Sequence, residues 1–336
     1  MPAPPSNVGG QAVIEGVMMR AASGLAVAVR RPSGEIIVRE KLWKSIGDRF
    51  PIFKLPFLRG VVVLIETLAG GMDALTFSAE QAEEQAADGN AESKQASGGS
   101  SRFATAAMLG LALSFGIGLF VVLPHALTYF VGRFFGGLAL ESIYFHLVAG
   151  VFKLTIFVSY LALLSTLPDI RRVFMYHGAE HKVIATHEAD EPLDVEHARR
   201  HSTFHARCGT SFLLVVVVSA IVLFAIVFPL IPGLGDGLGS HVVAVLIKIP
   251  MLLPVAGLAY EINRWAANRL SNPWVRLIVT PGFLMQRLTT RAPDDEMLEV
   301  ALTSLKAALR RHQVGSELDD PVNVYQNFAE ICTRLV

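Results

Sequence analysis

The stretch Thr210 to Pro232, TSFLLVVVVSAIVLFAIVFPLIP, contains no charged side chain. A helix rises 1.5 Å per residue, so about 20 apolar residues cross the hydrocarbon of a bilayer, and this stretch reads as a transmembrane span. The charge-free run around it extends from Cys208 to Gly235, and a second run, Phe103 to Gly132, supplies another span at 103–125. Two further stretches, 144–167 and 239–260, have the required length although each carries one lysine, Lys153 and Lys248. A fifth apolar segment, Val61 to Leu75, is short and interrupted by Glu66, Gly70, Gly71 and Asp73, which suits an interfacial or re-entrant helix at 55–77. Residues 276–288, bounded by Arg276 and Arg287 and broken by Pro281-Gly282, read the same way.

Composition agrees with that reading. The 336 residues are 52% hydrophobic and 17% charged, against roughly 25% charged in soluble proteins. A mean hydropathy of +0.47 exceeds what one water-soluble core requires. Disordered, collagen-like and nucleic-acid-coating proteins are excluded, since 29 basic and 29 acidic residues cancel. Cys208 and Cys332 lack a CxxC spacing and build no disulfide framework, and residues 1–20 lack the long apolar core of a secretory signal. The expected fold is therefore a mainly α membrane protein of about four transmembrane helices, with interfacial helices and a small cytoplasmic N-terminal β region.

Orientation follows from lysine and arginine, which stay on the cytoplasmic side of short loops. Eight fall between Arg20 and Lys54, six in the 168–209 loop and five in 264–291, whereas 126–143 holds only Arg133 and 233–238 holds none. A multi-pass protein of the inner (plasma) membrane with both termini cytoplasmic is expected. The chain divides into a β region (1–54), the interfacial helix (55–77), a polar linker expected to be disordered (78–102), two spans (103–167), a histidine-rich cytoplasmic hairpin (168–209), two spans (210–260) and a cytoplasmic C-terminal region (261–336). In the first, Leu25–Arg30 and Glu35–Arg39 flank Pro32-Ser33-Gly34 as a β-hairpin. In the last, Pro293-Asp294-Asp295-Glu296 opens an amphipathic helix whose Lys306, Arg310 and Arg311 suit its negative end.

Chemistry concentrates in the central loop, where six of the ten histidines lie between His177 and His205. His177-Gly178-Ala179-Glu180-His181 has the H-x-x-E-H spacing of inverse zinc peptidases. On a helix, residues four apart share a face with Cβ atoms about 5–6 Å apart, so two imidazoles can reach one ion. Glu188 falls near the same direction. Ala189-Asp190-Glu191-Pro192 should end this helix, and His197, His201, His205 and Cys208, spaced by four, four and three, would line one face of a second helix folded back on the first. The bland reading remains beside this one: the two histidines hydrogen-bond at the membrane surface with Glu180 paired to Lys182 or Arg172, Cys208 is a small buried residue, and His197 and His201 form a solvated stripe with Arg199 and Arg200.

Three motifs carry a resemblance. Gly9 to Arg20 (GGQAVIEGVMMR), Tyr176 to Lys182 (YHGAEHK) and His205 to Phe212 (HARCGTSF) resemble, in order, the YqhQ-like family of bacterial membrane proteins. The likeness covers most of the chain, leaving out the 78–102 linker, the tail after about 314, His197 and His201. It implies a metal-dependent membrane enzyme. Combining residues and resemblance, a divalent metal, zinc above all, is expected on His177 and His181 with Glu188, His205 or Cys208. Glu180 would act as base, and Lys182 or Arg207 would stabilise an oxyanion. The expected reaction is hydrolysis of a lipid, a lipid-linked compound or a membrane-protein segment at the cytoplasmic face, with the bilayer and no nucleic acid as partner. The alternative is a non-enzymatic transporter, lipid-binding protein or assembly factor, in which Lys153 and Lys248, near the midplane and close to Pro250 and Pro254, would meet an anionic solute or a lipid phosphate.

Overall fold

Val17, Met19, Ala26, Ala28, Ile36 and Val38 face one side of a sheet, and Met18, Leu25, Val27, Val29 and Ile37 the other, because successive side chains of a strand alternate. Both sets are buried. In the computed structural model, which describes residues 8–88, 102–134, 137–205, 208–231, 233–235, 237–267, 269, 271–314 and 321–334, four N-terminal strands form an antiparallel meander: β1 (Gly9–Val13), β2 (Gly16–Arg20), β3 (Gly24–Arg30) and β4 (Ile36–Leu42). The expected hairpin is β3–β4, paired from Gly24↔Leu42 to Arg30↔Ile36, and Gly34 supplies the left-handed residue of its turn at φ 93°.

Besides the amphipathic helix expected there, the C-terminal region adds a strand to the N-terminal sheet. A fifth strand, β5 (Val322–Tyr325), pairs antiparallel with β4, and the Asp295–Val314 helix lies across the sheet. That helix is a core element: Met297, Leu298, Val300, Leu302 and Leu305 are at most 1% exposed. Asp294 accepts a bond from the Met297 N–H at its start. Gly24 is required where they cross, since a Cβ there would stand 2.2 Å from the Ala308 carbonyl oxygen.

The opposite face is covered by the helix Leu58–Asp88, whose Ala74 and Phe77 join Val13, Leu25 and Val27 in a second core. This revises the linker: residues 78–88 continue the helix, with Ser78 and Gln81 buried and the Arg31 guanidinium donating to Gln81 at 2.6 Å, while 89–101 lie outside the described residues. Polar contacts along the helix explain its interruptions. Glu66 accepts bonds from Ser45 and the Ile46 N–H, and Asp73 pairs with Arg39 and Lys41.

The structure is mainly helical, and among the described residues five helices are long and apolar enough to cross a membrane: Leu58–Ala82, Gly110–Phe134, Ile143–Leu164, Gly209–Leu230 and Leu238–Ala267. The helix that holds the second begins at Arg102, within one residue of the expected 103, but runs on past 125 to Phe134, and it contains a π-helical turn, Gly118–Val122, just before Pro124. A proline there cannot donate its backbone bond and crowds the preceding turn, which favours the local widening. Leu140, Phe145, Ala220, Phe224, Phe228, Ala244 and Val255 pack as the core between these helices.

Candidate metal centre

The helix Pro168–Glu188 begins with proline at its first position and Asp169 in its first turn, and it ends where Asp190 turns left-handed at φ 58°. Its apolar side, Tyr176, Ala179, Val183 and Ile184, is buried against the sheet and the Asp295–Val314 helix. That anchoring sets the azimuth of His177 and His181, whose rings meet edge-to-face with centroids 4.4 Å apart. Gly178 between them is a requirement of packing. A Cβ there would lie 2.0 Å from the Arg291 carbonyl oxygen, and the Arg291 N–H donates to the Phe174 carbonyl at 2.9 Å.

Each imidazole is pinned from behind by a carbonyl, which can only accept. His177 Nδ1–H donates to the Thr289 carbonyl at 2.8 Å and His181 Nδ1–H to the Thr203 carbonyl at 2.5 Å. Both Nε2 atoms therefore carry lone pairs. His177 Nε2 stands 3.3 Å from the Cys208 sulfur, and His181 Nε2 is buried with no hydrogen-bond partner. One donor atom from each of His177, His181 and Cys208 lies within 4.8 Å of the others. Cys208 is 4% exposed and caps the Gly209–Val227 helix, its sulfur 3.4 Å from the Thr210 N–H. Two neutral imidazoles and one sulfur, fixed before any ligand arrives, fit a zinc-like ion.

The remaining expected residues are placed differently. The second helix of the hairpin ends at Arg200, and His201 onward is extended, so the four-residue histidine stripe does not form. The Lys182 ammonium is the reason: it donates to the Arg199 and His201 carbonyls and closes the short helix, leaving an oxyanion role without support. His197 binds Asp194 at 2.8 Å and His201 binds Glu191 at 2.9 Å, so nearby carboxylates draw both away from the centre. His205 reaches the site through the extended strand instead, its ring centroid 5.7 Å from that of His181. Glu188 is 3.2 Å from His205 Nε2 and so supports that imidazole; neither residue belongs to the close trio. Arg207 lies outside the described residues.

Glu180 is 6% exposed, and its Cγ would touch any Cβ placed on Gly10 at 2.8 Å. Burial pushes its carboxyl above the usual range, opposed by His177, His205 and the Gly10 N–H. Burial also holds His181 and His205 below the usual imidazole range, so both favour the neutral form that ligates or accepts protons.

Three supports, Gln286, Thr203 and Thr289, escaped the sequence reading. Gln286, fully buried, accepts from the His205 N–H at 2.9 Å and donates to the His205 carbonyl and to Ser211, both at 2.8 Å. A lone glutamine in the apolar 276–288 stretch was the available signal. Thr203 and Thr289 act through main-chain carbonyls, which leave no trace in residue identity. Glu15, in the β1–β2 turn at φ 51°, clasps Arg172 at 2.6 Å and accepts from the Tyr176 hydroxyl at 3.2 Å, tying the turn to the histidine helix.

A helical protein with membrane-length helices and a His–His–Cys cluster beside an antiparallel sheet is the class so defined. The chain belongs to the family described as "Protein of unknown function (DUF1385)", whose model matches residues 55–311. It is 33% identical over 327 residues to the uncharacterized protein YqhQ of Bacillus subtilis (strain 168), an alignment covering 94% of this chain and 96% of that relative. No solved structure matches.

Proposed function

We propose that this protein is a metal-dependent hydrolase of the plasma membrane, with its centre at the cytoplasmic face beside the bilayer. The observation that carries the reading is the pair of carbonyl-pinned imidazoles presenting Nε2 lone pairs to the Cys208 sulfur. His177, His181 and Cys208 would hold the ion, and a zinc ion in such a site supplies water acidified to a pKa of about 7. Glu180, whose carboxyl burial pushes above the usual range, would act as the base. His205, oriented by Glu188 and Gln286, is placed to return a proton to a leaving group. A lipid, lipid-linked or membrane-protein substrate fits a centre at this face.

Topology supports four spans. β5 shares a sheet with β1–β4, so the chain crosses the bilayer an even number of times between them. The Pro168–Glu188 helix packs on the same sheet, so the number is even on either side of it. Gly209–Leu230 and Leu238–Ala267 make two; of the three earlier candidates only two can cross. Leu58–Asp88, engaged with the sheet through Asp73, Ala74 and Phe77, is the one that stays on the membrane surface. The lysine and arginine distribution then puts sheet, metal centre and both termini in the cytoplasm.

Metal content tests the centre. Purified protein is expected to retain about one equivalent of divalent metal, and His177→Ala with His181→Ala to retain none; less than about a tenth of an equivalent in the native chain overturns it. The 3.3 Å sulfur–imidazole contact also admits a metal-free thiolate nucleophile. That pair does not need His181, so loss of metal in His181→Ala alone favours the metal reading. Survival of thiolate reactivity with no metal bound favours the other.

A further inference from the structure

Lys153 and Lys248 each stand ten residues into their helices, Ile143–Leu164 and Leu238–Ala267, or about 15 Å from the same end, which is the depth of the bilayer midplane. They are 8% and 3% exposed and line one small cavity with His125, His146 and Phe224. Both ammonium groups approach the Phe224 ring, at 5.0 and 5.6 Å from its centre.

The polar neighbours are arranged as neutral groups. The Leu140 carbonyl accepts from His146 Nε2–H at 3.0 Å, and His146 Nδ1 is buried with no hydrogen-bond partner. Lys248 lies 2.9 Å from His125 Nδ1, and an ammonium there must donate, so His125 carries its own proton on Nε2 and passes a bond to His241 Nδ1 at 3.0 Å. Among the described residues no carboxylate lines the cavity. Two ammonium groups facing one space at this depth are costly without a counter-charge, and aromatic faces offset only part of the cost. The space itself is about 10 Å³, near the minimum for one water-sized occupant.

We propose that the spans hold a buried site for one small monovalent anion, a halide, between Lys153 and Lys248, around which the cavity opens by a few tenths of an ångström beyond the room it has for one water. The site is independent of the metal centre and gives the membrane domain a ligand of its own. The π-helical turn Gly118–Val122, which carries Val121 into the cavity wall, and the helix-weakening Pro250 beside Lys248 give the surrounding backbone room to adjust around such an ion.

The test uses the full chain in detergent, melted at equal ionic strength in sodium gluconate, chloride and bromide. A bound ion at concentration c stabilises the folded state by RT ln(1 + c/Kd), so chloride and bromide are expected to raise the melting temperature with the logarithm of their concentration above Kd while gluconate, too large to enter, does not. Lys153→Met and Lys248→Met should each weaken the halide response by about tenfold or more while still melting cooperatively, because methionine fills similar space without a charge. Cys208→Ser, with its metal site disabled, should keep the response, which separates failure here from failure of the hydrolase reading. Bromide provides a direct check through its anomalous scattering between the two lysines. Equal melting in all three salts, or a Lys153→Met response matching the native one, overturns the proposal.

Discussion

Two polar clusters sit in this protein, and they are built on opposite principles. At His177, His181 and Cys208 every nitrogen not facing the centre is tied to a main-chain carbonyl, so the free lone pairs converge and attract a cation. At Lys153 and Lys248 the groups facing the cavity are donors, the imidazoles behind them are neutral, and the space favours an anion. The same residue type, histidine, serves both, and the partner of its second nitrogen decides which. A histidine count therefore says little about function until that partner is known.

The contrast breaks most easily at its centre. His177→Ala with His181→Ala is expected to remove bound metal altogether, while Lys153→Met with Lys248→Met leaves about one equivalent in place; elemental analysis per chain reads both. Equal loss in the two double variants would mean a single coupled site. Next in size is Gly178→Ala. Its new methyl collides with the Arg291 carbonyl, and a rigid backbone neighbour gives a loss of about 3 kcal/mol in thermal unfolding, with metal affinity falling alongside. Gln286→Leu removes three buried hydrogen bonds that brace His205 and Ser211 and should cost about 2 kcal/mol. Metal content should survive it, because Gln286 touches no member of the close trio. Smallest is Glu15→Gln, which loosens a half-exposed clasp on Arg172 and should lower stability by no more than about 1 kcal/mol, less in high salt. A larger effect would make the β1–β2 turn part of the centre.

Topology offers a further break. A reporter fused after Val336 and one inserted near Gly235 should fall on opposite sides of the membrane, cytoplasmic and outer respectively. The same side for both would mean that Leu238–Ala267 does not cross the bilayer and would break the four-span reading.

Legibility differed by region. The apolar runs of the spans and the β3–β4 hairpin were read to within a few residues, apart from the helix ending at Phe134, because length and alternation are local properties. The His177 and His181 pairing was equally local, one turn of one helix. The approach of Cys208 and His205 was expected by the wrong route, a second helix, because the spacing of four, four and three matches a helical face. What ends that helix is a Lys182 ammonium seventeen residues from Arg199, a long-range bond that periodicity cannot register. The Leu58–Asp88 helix was cut short for a related reason. Its Glu66 and Asp73 look like interruptions in isolation and are satisfied by Ser45, Arg39 and Lys41 from the sheet region.

By itself the sequence determined that this chain belongs with lipid, where its apolar stretches begin and end to within a turn or two, and which loop carries the metal-ligating residue types. Those are consequences of side-chain hydrophobicity and of the helix and strand repeats, which act over neighbouring residues. Only the tertiary structure decided that the last strand closes the first sheet, which ring nitrogens are left to bind, and which acids are spent on other partners. Each of those depends on a carbonyl or charge brought from far along the chain, and main-chain carbonyls are the same in every residue.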